Sequence, residues 1–485
     1  MAARVGGIVT GDDSTWLTDA THDSAGTGPE TLFVAVRGSR HDGHDFVDAA
    51  VEAGSPAVAV EHPVASRVSQ LVVADTRAAM GAMAAEVHND PSESVAVIGV
   101  TGTNGKTTVT HYLESVLGRA GHVAGLIGTV HTRVGELLLT SARTTPEATD
   151  FQRLLATMRD HGADVIAAEV SSHALEMGRV GATRFRVAAF TNLSQDHLDF
   201  HGTMGSYREA KERLFRDYDV GTAVINVDDE VGEEIASWAA MPVIRVGSKG
   251  EVRAERVAPS LRGTSFDLVT PFGSAEVHSP LVGSFNVENA LVASACCLAL
   301  GTSLEQIATG LGALEAVPGR FQVVSAEAPI HVIVDYAHTP GGILEVISVA
   351  RRVGGGARVI AVVGAGGDRD REKRPLMGRA AAKADVTILT SDNPRSEDPG
   401  RILAEVAAGA GADAILEIDR RTAIETAIAG ARPGDIVLIL GKGHETGQEI
   451  GGSVVPFDDV EVARQILESE ASSQGSELDS GSMSP

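Results

Sequence analysis

Residues 95–108 read Val-Ala-Val-Ile-Gly-Val-Thr-Gly-Thr-Asn-Gly-Lys-Thr-Thr, and no other stretch restricts the fold as tightly. Residues 94–99 read as a buried parallel strand, and residues 106 to about 119 carry a helix. Between them lies a phosphate-binding turn. Gly102 and Gly105 let backbone N–H groups curl around oxygen anions with no Cβ in the way. The helix N-terminus adds a partial positive charge, and Lys106 adds a full one. Thr103, Asn104 and Thr108 complete the loop, and Thr107 is placed to hold Mg²⁺. The general pattern G-x-x-x-x-G-K-[ST] is not met, because Val100 stands where its first glycine belongs. The shorter loop Gly-Thr-Asn-Gly-Lys-Thr-Thr remains, and nucleotide phosphates are its expected ligand.

At 485 residues the chain is too long for one hydrophobic core, and roughly three domains of about 150 residues are expected. The formal net charge is −25. Such a field repels nucleic-acid backbones and anionic lipid, so no nucleic acid and no membrane insertion are expected, and any phosphate site has to be locally basic. Cys296 and Cys297 adjoin in an apolar helix-like run, which suits neither a structural disulfide nor a zinc site. No stretch approaches about 18 uninterrupted apolar residues, and the N-terminus lacks the apolar centre of a signal peptide. A cytoplasmic monomer acting on small molecules is the expectation.

The first 88 residues read as a small α/β unit without a nucleotide loop. Residues 31–36 form a strand, residues 37–43 a polar loop carrying Arg37, Arg40 and His41, and residues 46–53 a helix. That loop suits an anionic ligand or a solvated hairpin equally. Residues 89–317 are the nucleotide domain. Its strands at 165–170, 187–190 and 223–227 end in Ser171-Ser172-His173, Thr191-Asn192 and Asp228-Asp229. Ligands of open parallel sheets sit beyond the carboxyl ends of the strands, so these clusters are expected to converge on the phosphate loop. Glu169, at its strand end, and His197, in Gln195-Asp196-His197, are hard and borderline ligands able to complete Mg²⁺ coordination at a transferred phosphate.

Residues 207–215 are amphipathic at helical spacing, with Tyr207, Leu214 and Phe215 toward the core; on this pattern Lys211 is a solvated helix lysine. Residues 283–289 open a long apolar helix whose Asn286 and Asn289 share a face, to meet a purine edge or to cap the helix. Pro318-Gly319-Arg320 marks a turn and a domain boundary. In the third domain, residues 318–470, four strands run into Asp335-Tyr336-Ala337-His338, Gly364-Ala365-Gly366-Gly367-Asp368-Arg369, Asp392-Asn393-Pro394-Arg395 and Gly441-Lys442-Gly443-His444-Glu445. The second is no dinucleotide fingerprint, because Arg369 replaces the last glycine of G-x-G-x-x-G. A crevice carrying Arg369, Arg395, Lys442, His444 and Glu445 suits a zwitterionic small molecule. Residues 471–485 have no apolar periodicity and read as a disordered tail.

Together these motifs resemble the Mur ligases, the ATP-dependent amino-acid-adding enzymes of peptidoglycan synthesis. The resemblance runs from about residue 31 to residue 457. It rests on TGTNGKTT at 101–108, EVSSHAL at 169–175, TNLSQDHLDFHG at 191–202, YxxAK ending at Lys211, PGR at 318–320 and DYAHTP at 335–340. DNPR at 392–395 and GKGHE at 441–445 are similar to motifs of the diaminopimelate-adding branch.

The resemblance implies an α/β fold of three domains, with a central P-loop parallel-sheet ATPase domain and a C-terminal Rossmann-like domain. It implies ATP on Gly102 to Thr108, with Asn289, Arg320 and Asp335 around adenine and ribose. It implies Mg²⁺ held by Thr107, Glu169, His197 and Lys211, the last as a carbamate, which reverses the reading of Lys211 from its helix. Lys106, Lys211 and His197 form the implied catalytic set. A UDP-muramoyl dipeptide would meet Ser24, His41, Thr144, Thr145, Ser171 and Arg179. Meso-diaminopimelate would meet Arg369, Asp392, Asn393, Pro394, Arg395, Gly441 and Glu445. Two departures stand out: Asp23-Ser24-Ala25 where the family commonly has Asp-Ser-Arg, and Met177 where some members carry Gln. Three alternatives compete: a lysine-adding ligase of the same branch, a folylpolyglutamate synthetase, and a nucleotide-gated binding protein without turnover. DNPR disfavours the first, because lysine has no distal carboxylate for Arg395. The DNPR and GKGHE pair disfavours the second, and the presence of Lys211 and His197 the third.

Overall fold

The computed structural model describes residues 1–38, 41–141, 143–325 and 329–480. Arg40 of the first polar loop lies outside them. The expected phosphate loop follows strand Ala96–Thr101 and opens helix Lys106–Arg119, so the helix bounds agree with the sequence and the strand sits two residues later than expected. Its β-branched residues Val97, Ile98 and Val100 are all fully buried. The strand lies inside an eight-stranded sheet, with Val165–Glu169 on one side and Phe185–Phe190 on the other, both parallel to it. Val220–Asn226 and Val243–Val246 extend the sheet beyond Phe185–Phe190, and Ala124–Ile127 extends it beyond Val165–Glu169. Because neighbours run the same way, their carboxyl ends lie side by side above the loop.

Helix Lys106–Arg119 turns Val109, Tyr112, Leu113, Val116 and Leu117 into the core shared with helices Ser284–Ala299 and Leu304–Ala313. The approach is close: a Cβ on Gly310 would lie 2.4 Å from the Val116 Cα. Cys296 and Cys297 are free thiols inside this core.

The N-terminal sheet orders Ile8–Thr10, Ser69–Val72, Ala57–Val60, Thr31–Val34 and Asp19–Thr21, with only the first antiparallel to its neighbour. The helix expected over 46–53 begins with a 3₁₀ turn at Gly43–Phe46 and is α-helical over Val47–Glu52. The C-terminal sheet places His331–Asp335, Ile436–Leu440, Val359–Ala365 and Val386–Ser391 as four parallel neighbours. All four charged loops therefore leave one sheet edge. A hairpin, Gly447–Ile450 with Ser453–Pro456, folds over that edge and bridges to Arg395 through Ile450.

The last helix, Asp459–Ser480, departs from the sequence reading, which places a disordered tail from residue 471. Val462, Ala463 and Ile466 anchor its first turns in the core, and the following Glu, Ala, Ser and Leu residues extend a helix already nucleated. Residues 481–485 lie outside the described residues.

Candidate active site

The loop is assembled by close backbone approach. Gly102 has φ +148° and Gly105 φ +91°, and a Cβ on either would meet Thr191 Oγ1 at 1.8 Å or Asn289 Oδ1 at 2.2 Å. Thr191 Oγ1 donates to the Asn104 carbonyl at 2.6 Å, and the Asn104 N–H donates to Asn192 Oδ1 at 3.0 Å. The Thr191-Asn192 strand end thus converges on the loop as its position requires. Ser171 meets Thr145, which donates to the carbonyl of Glu169, the residue that takes the Thr107 hydroxyl. Asp228-Asp229 does not reach the loop: Asp229 accepts from the Leu193 N–H at 2.8 Å, and Asp228 from Ser248.

Lys106 folds over its own loop and donates to the carbonyls of Gly102 and Thr103, both at 2.9 Å. Burial lowers its pKa, Glu169 opposes that shift, and Arg320 adds to it. Thr107 Oγ1 donates to Glu169 Oε2 at 3.1 Å and accepts from Arg320 Nη2 at 3.2 Å. Thr129 completes the cradle, with its N–H 2.8 Å from Glu169 Oε1 and its hydroxyl 3.0 Å from Oε2. Thr129 carried no sequence signal beyond its polarity.

Lys211 reverses the amphipathic reading. It sits on helix Met204–Arg216 among Tyr207, Leu214 and Phe215, all buried as expected, but is itself only 1% exposed. Its Nζ stands 4.5 Å over the Tyr207 ring, with no hydrogen bond or ion pair among the described residues. Burial first, and then the nearby Lys106, push its pKa well below the ordinary lysine range. His197 has φ +53° and caps the helix that begins at Leu198. Its ring stacks edge-on to His173 with centroids 4.8 Å apart. Burial holds His197 neutral against Asp196, and holds His173 down at about 4.

Thr107 and Glu169 are hard oxygen donors in contact beside the phosphate loop, which suits a divalent cation. His197 and Lys211 both approach Tyr207, the imidazole edge-on with centroids 6.1 Å apart and the amine 4.5 Å over the ring. Among the described residues, no three His, Cys, Asp or Glu side chains form a ready metal cluster.

Thr145, Ser171 and Arg179 share one network. Thr145 Oγ1 donates to the Glu169 carbonyl at 2.7 Å and lies 3.3 Å from Ser171 Oγ. Arg179 Nε donates to Glu147 at 3.0 Å, and Arg179 Nη2 rests 3.2 Å from the sulfur of Met177. Glu147 also takes Arg77 and Arg143. Thr144 joins the network through Thr129 at 3.0 Å. Ser24 stands apart in a 3₁₀ turn capped by Asp23, and His41 is exposed near Phe46.

Arg320, on the third domain, lies over the Tyr336 ring at 4.6 Å. Asp335 accepts from the N–H groups of Phe321 at 2.6 Å and Ala337 at 2.7 Å; burial raises its pKa while Arg320 opposes. Asn289 donates to Asn286 Oδ1 at 3.3 Å. In the charged crevice, Asn393 Nδ2 donates to Glu445 Oε2 at 2.6 Å. Arg395, at φ +53°, donates to the Gly367 carbonyl at 2.7 Å and pairs with Glu449 at 3.3 Å. Asp392 is buried behind Gly441, whose missing Cβ would lie 2.6 Å from its Oδ2. Arg369 is directed to the exposed Asp368 carbonyl at 3.2 Å. Glu445 and His444 also line a cleft of about 460 Å³ with His131, Gly319 and Gln322.

Three family models match in order: Mur ligase family, catalytic domain, over residues 18–97; Mur ligase middle domain, over 100–297; and Mur ligase, glutamate ligase domain, over 319–443. The chain belongs to the Mur ligase family. It is 46% identical over 458 residues to the UDP-N-acetylmuramoyl-L-alanyl-D-glutamate--2,6-diaminopimelate ligase of Geobacillus kaustophilus, covering 92% of this chain and 94% of that one. A solved structure of a ligase with the same name superposes with TM-score 0.68 at 33% identity, covering 95% of this chain and 98% of that one. A Mur ligase of Thermotoga maritima, MurF, solved in complex with ADP, shares the fold with TM-score 0.67 at 20% identity, covering 96% of this chain and 100% of that one. The three-domain α/β architecture and ATP-dependent ligase chemistry are thus properties of the family to which these residues belong.

Proposed function

We propose that this Mur ligase joins meso-diaminopimelate to UDP-N-acetylmuramoyl-L-alanyl-D-glutamate with ATP, through an acyl phosphate. The observation that carries this reading is the crevice in which Asn393, Arg395 and Glu445 meet at one sheet edge, while Arg320 of the same domain reaches Thr107 of the phosphate loop. The Arg320–Thr107 contact ties the domain of the crevice to the phosphate loop, which supports transfer between a phosphate and an incoming amine.

Gly102 to Thr108 hold the phosphates, with Asn289, Arg320 and Asp335 toward the base and ribose. The γ-phosphoryl passes to the D-glutamyl carboxylate held at Thr144, Thr145, Ser171 and Arg179, and ADP leaves. The amine of diaminopimelate then attacks the acyl carbon, loses a proton, and inorganic phosphate departs. Lys106 and Arg320 offset the charge that spreads over the transferred phosphoryl oxygens, which is most of what a protein contributes to this chemistry. Thr107, Glu169, His197 and Lys211 as a carbamate would hold Mg²⁺, which would supply further charge neutralisation there. Lys211 suits that modification: a neutral amine is the form that bonds to the carbon of CO₂ with loss of a proton, and burial and the neighbouring Lys106 both shift it toward that form. Ser24 and His41 are assigned to the uridine end, with Ala25 removing the family's usual arginine. The protein is read as a cytoplasmic monomer whose partners are these small molecules; no described helix is long and apolar enough to cross a membrane.

Phosphate release from ATP with the UDP-muramoyl dipeptide, and with meso-diaminopimelate, L-lysine or no amino acid added in parallel, tests the reading. Release that depends on diaminopimelate is expected. Release with lysine alone moves the chain to the lysine-adding branch, and silence in all three removes the ligase reading.

A further inference from the structure

Lys442 is fully buried, yet the reaction above gives it no part. Its Nζ donates to Asn393 Oδ1 at 3.2 Å, to Glu445 Oε2 at 3.3 Å and to the Gly447 carbonyl at 2.5 Å. An ammonium has three N–H donors and no acceptor, and here three acceptors take them. The contacts also settle the Asn393 amide. Its oxygen faces two groups that only donate, Lys442 and the Glu449 N–H at 3.0 Å, so its NH₂ must face the Glu445 carboxylate, which only accepts. Both donors to Glu445 use Oε2. Oε1 accepts no hydrogen bond among the described residues, and the Glu445 side chain is 32% exposed.

We infer that Lys442 is a positioning residue that selects a zwitterionic distal group in the amino-acid substrate, by locking Asn393 and by engaging Glu445 Oε2 so that Oε1 is left for the substrate. This rests on the reading of the crevice as the diaminopimelate site. Charge gives the selection its direction. Lys442 balances Glu445 and Arg395 balances Glu449, so the two pairs cancel and match a distal centre carrying both an ammonium and a carboxylate. Loss of the Lys442 charge leaves Glu445 without its cationic partner and shifts the crevice toward negative charge. That repels the distal carboxylate and favours an amino acid whose far end is only a cation, such as L-lysine.

The test compares wild type, Lys442→Met, Lys442→Arg, Glu445→Gln and the Lys442→Met/Glu445→Gln double variant by amino-acid-dependent phosphate release. Lys442→Met is expected to lower kcat/KM for meso-diaminopimelate at least tenfold and to shrink its preference over L-lysine, with KM for ATP and for the UDP-muramoyl dipeptide within twofold. Lys442→Arg, which keeps the charge, is expected to retain the preference at reduced kcat/KM, and it carries the test if the methionine variant does not fold. Because Lys442 acts through Glu445, the double variant is expected to lose no more than the worse single one. Unchanged preference in Lys442→Met, loss of preference in Lys442→Arg, or fully additive losses overturns the inference. A wild type that prefers lysine, or that ignores diaminopimelate, overturns the crevice reading and the inference with it.

Discussion

Lys211 shows how one residue's surroundings invert its pattern. Spacing alone puts it on the solvated side of helix Met204–Arg216, yet it lies within the core under Tyr207, beside Lys106. An amine buried without a partner is costly, and it persists where a later reaction supplies a charge partner. Lys211→Ala is therefore expected to remove most phosphate release, about 10²-fold or more, and a small added carboxylate to restore part of it. Wild-type rates in the unsupplemented variant would exclude a metal-holding carbamate. Glu397 gives the complementary case, in a carboxylate. Its side chain accepts from Arg374 and from the Asp368 N–H, the first of these holding its pKa down at about 2 from 4.5. A folded-state pKa below the unfolded value means that the unfolded chain binds more protons between the two. The stability contributed is complete above about pH 4.5 and is lost as pH falls toward 2. Urea midpoints measured from pH 6 to pH 2.5 are expected to fall less steeply in Glu397→Gln than in wild type; parallel curves would show that the pair does not couple to folding.

At the scale of elements, the strand, loop and helix over Ala96–Arg119 act as one unit because three later segments close on it. Thr191 and Asn289 occupy the space that side chains at positions 102 and 105 would need, and Glu169 takes the hydroxyl of Thr107. Gly105→Ala combines a left-handed backbone with a collision at Asn289 Oδ1. It is expected to raise KM for ATP at least tenfold while circular dichroism and the melting profile remain close to wild type, because the helix beyond Lys106 keeps its apolar face. An unchanged KM would show that the loop reshapes freely. In the third domain the corresponding unit is the sheet edge itself. Arg420 donates to the carbonyls of Ser391 and Leu440 and is paired with Asp459, both ends fully buried, so the strand ends that launch Asp392 and Gly441 are tied to the final helix.

At the scale of the whole molecule, contacts between domains complete the site. Arg320 spans from the third domain to Thr107, and Lys373 and His338 approach Asp196, next to His197, at 3.9 and 3.8 Å. At the other junction, Glu147 joins Arg77 of helix Thr76–Val87 to Arg143 and Arg179. Arg320→Ala removes a guanidinium from a partly buried hydroxyl contact and from the Tyr336 face, a loss of about 1.5–3 kcal/mol for a hydrogen bond to a charged group. An approximately 10- to 150-fold lower kcat/KM for ATP is expected, with the affinity for the UDP-muramoyl dipeptide little changed. Equal losses for both substrates would point to a general misfolding effect instead.

The sequence by itself determined the phosphate loop, the helix Lys106–Arg119, the buried strands and the motifs that place the chain in its family, because these depend on local spacing: short apolar runs, glycines at turns, and a lysine at a helix start. Tertiary structure alone decided the burial of Lys211, the cradle of Thr129 around Glu169, the four-way network at Glu147 and the anchoring of Asn393 by Lys442. Each of these joins groups far apart in the chain, and polarity, charge state and hydrogen-bond direction at such points follow from the neighbours that folding brings. The helix that continues to Ser480 belongs to the same class, since its start is held by core contacts that composition alone does not reveal.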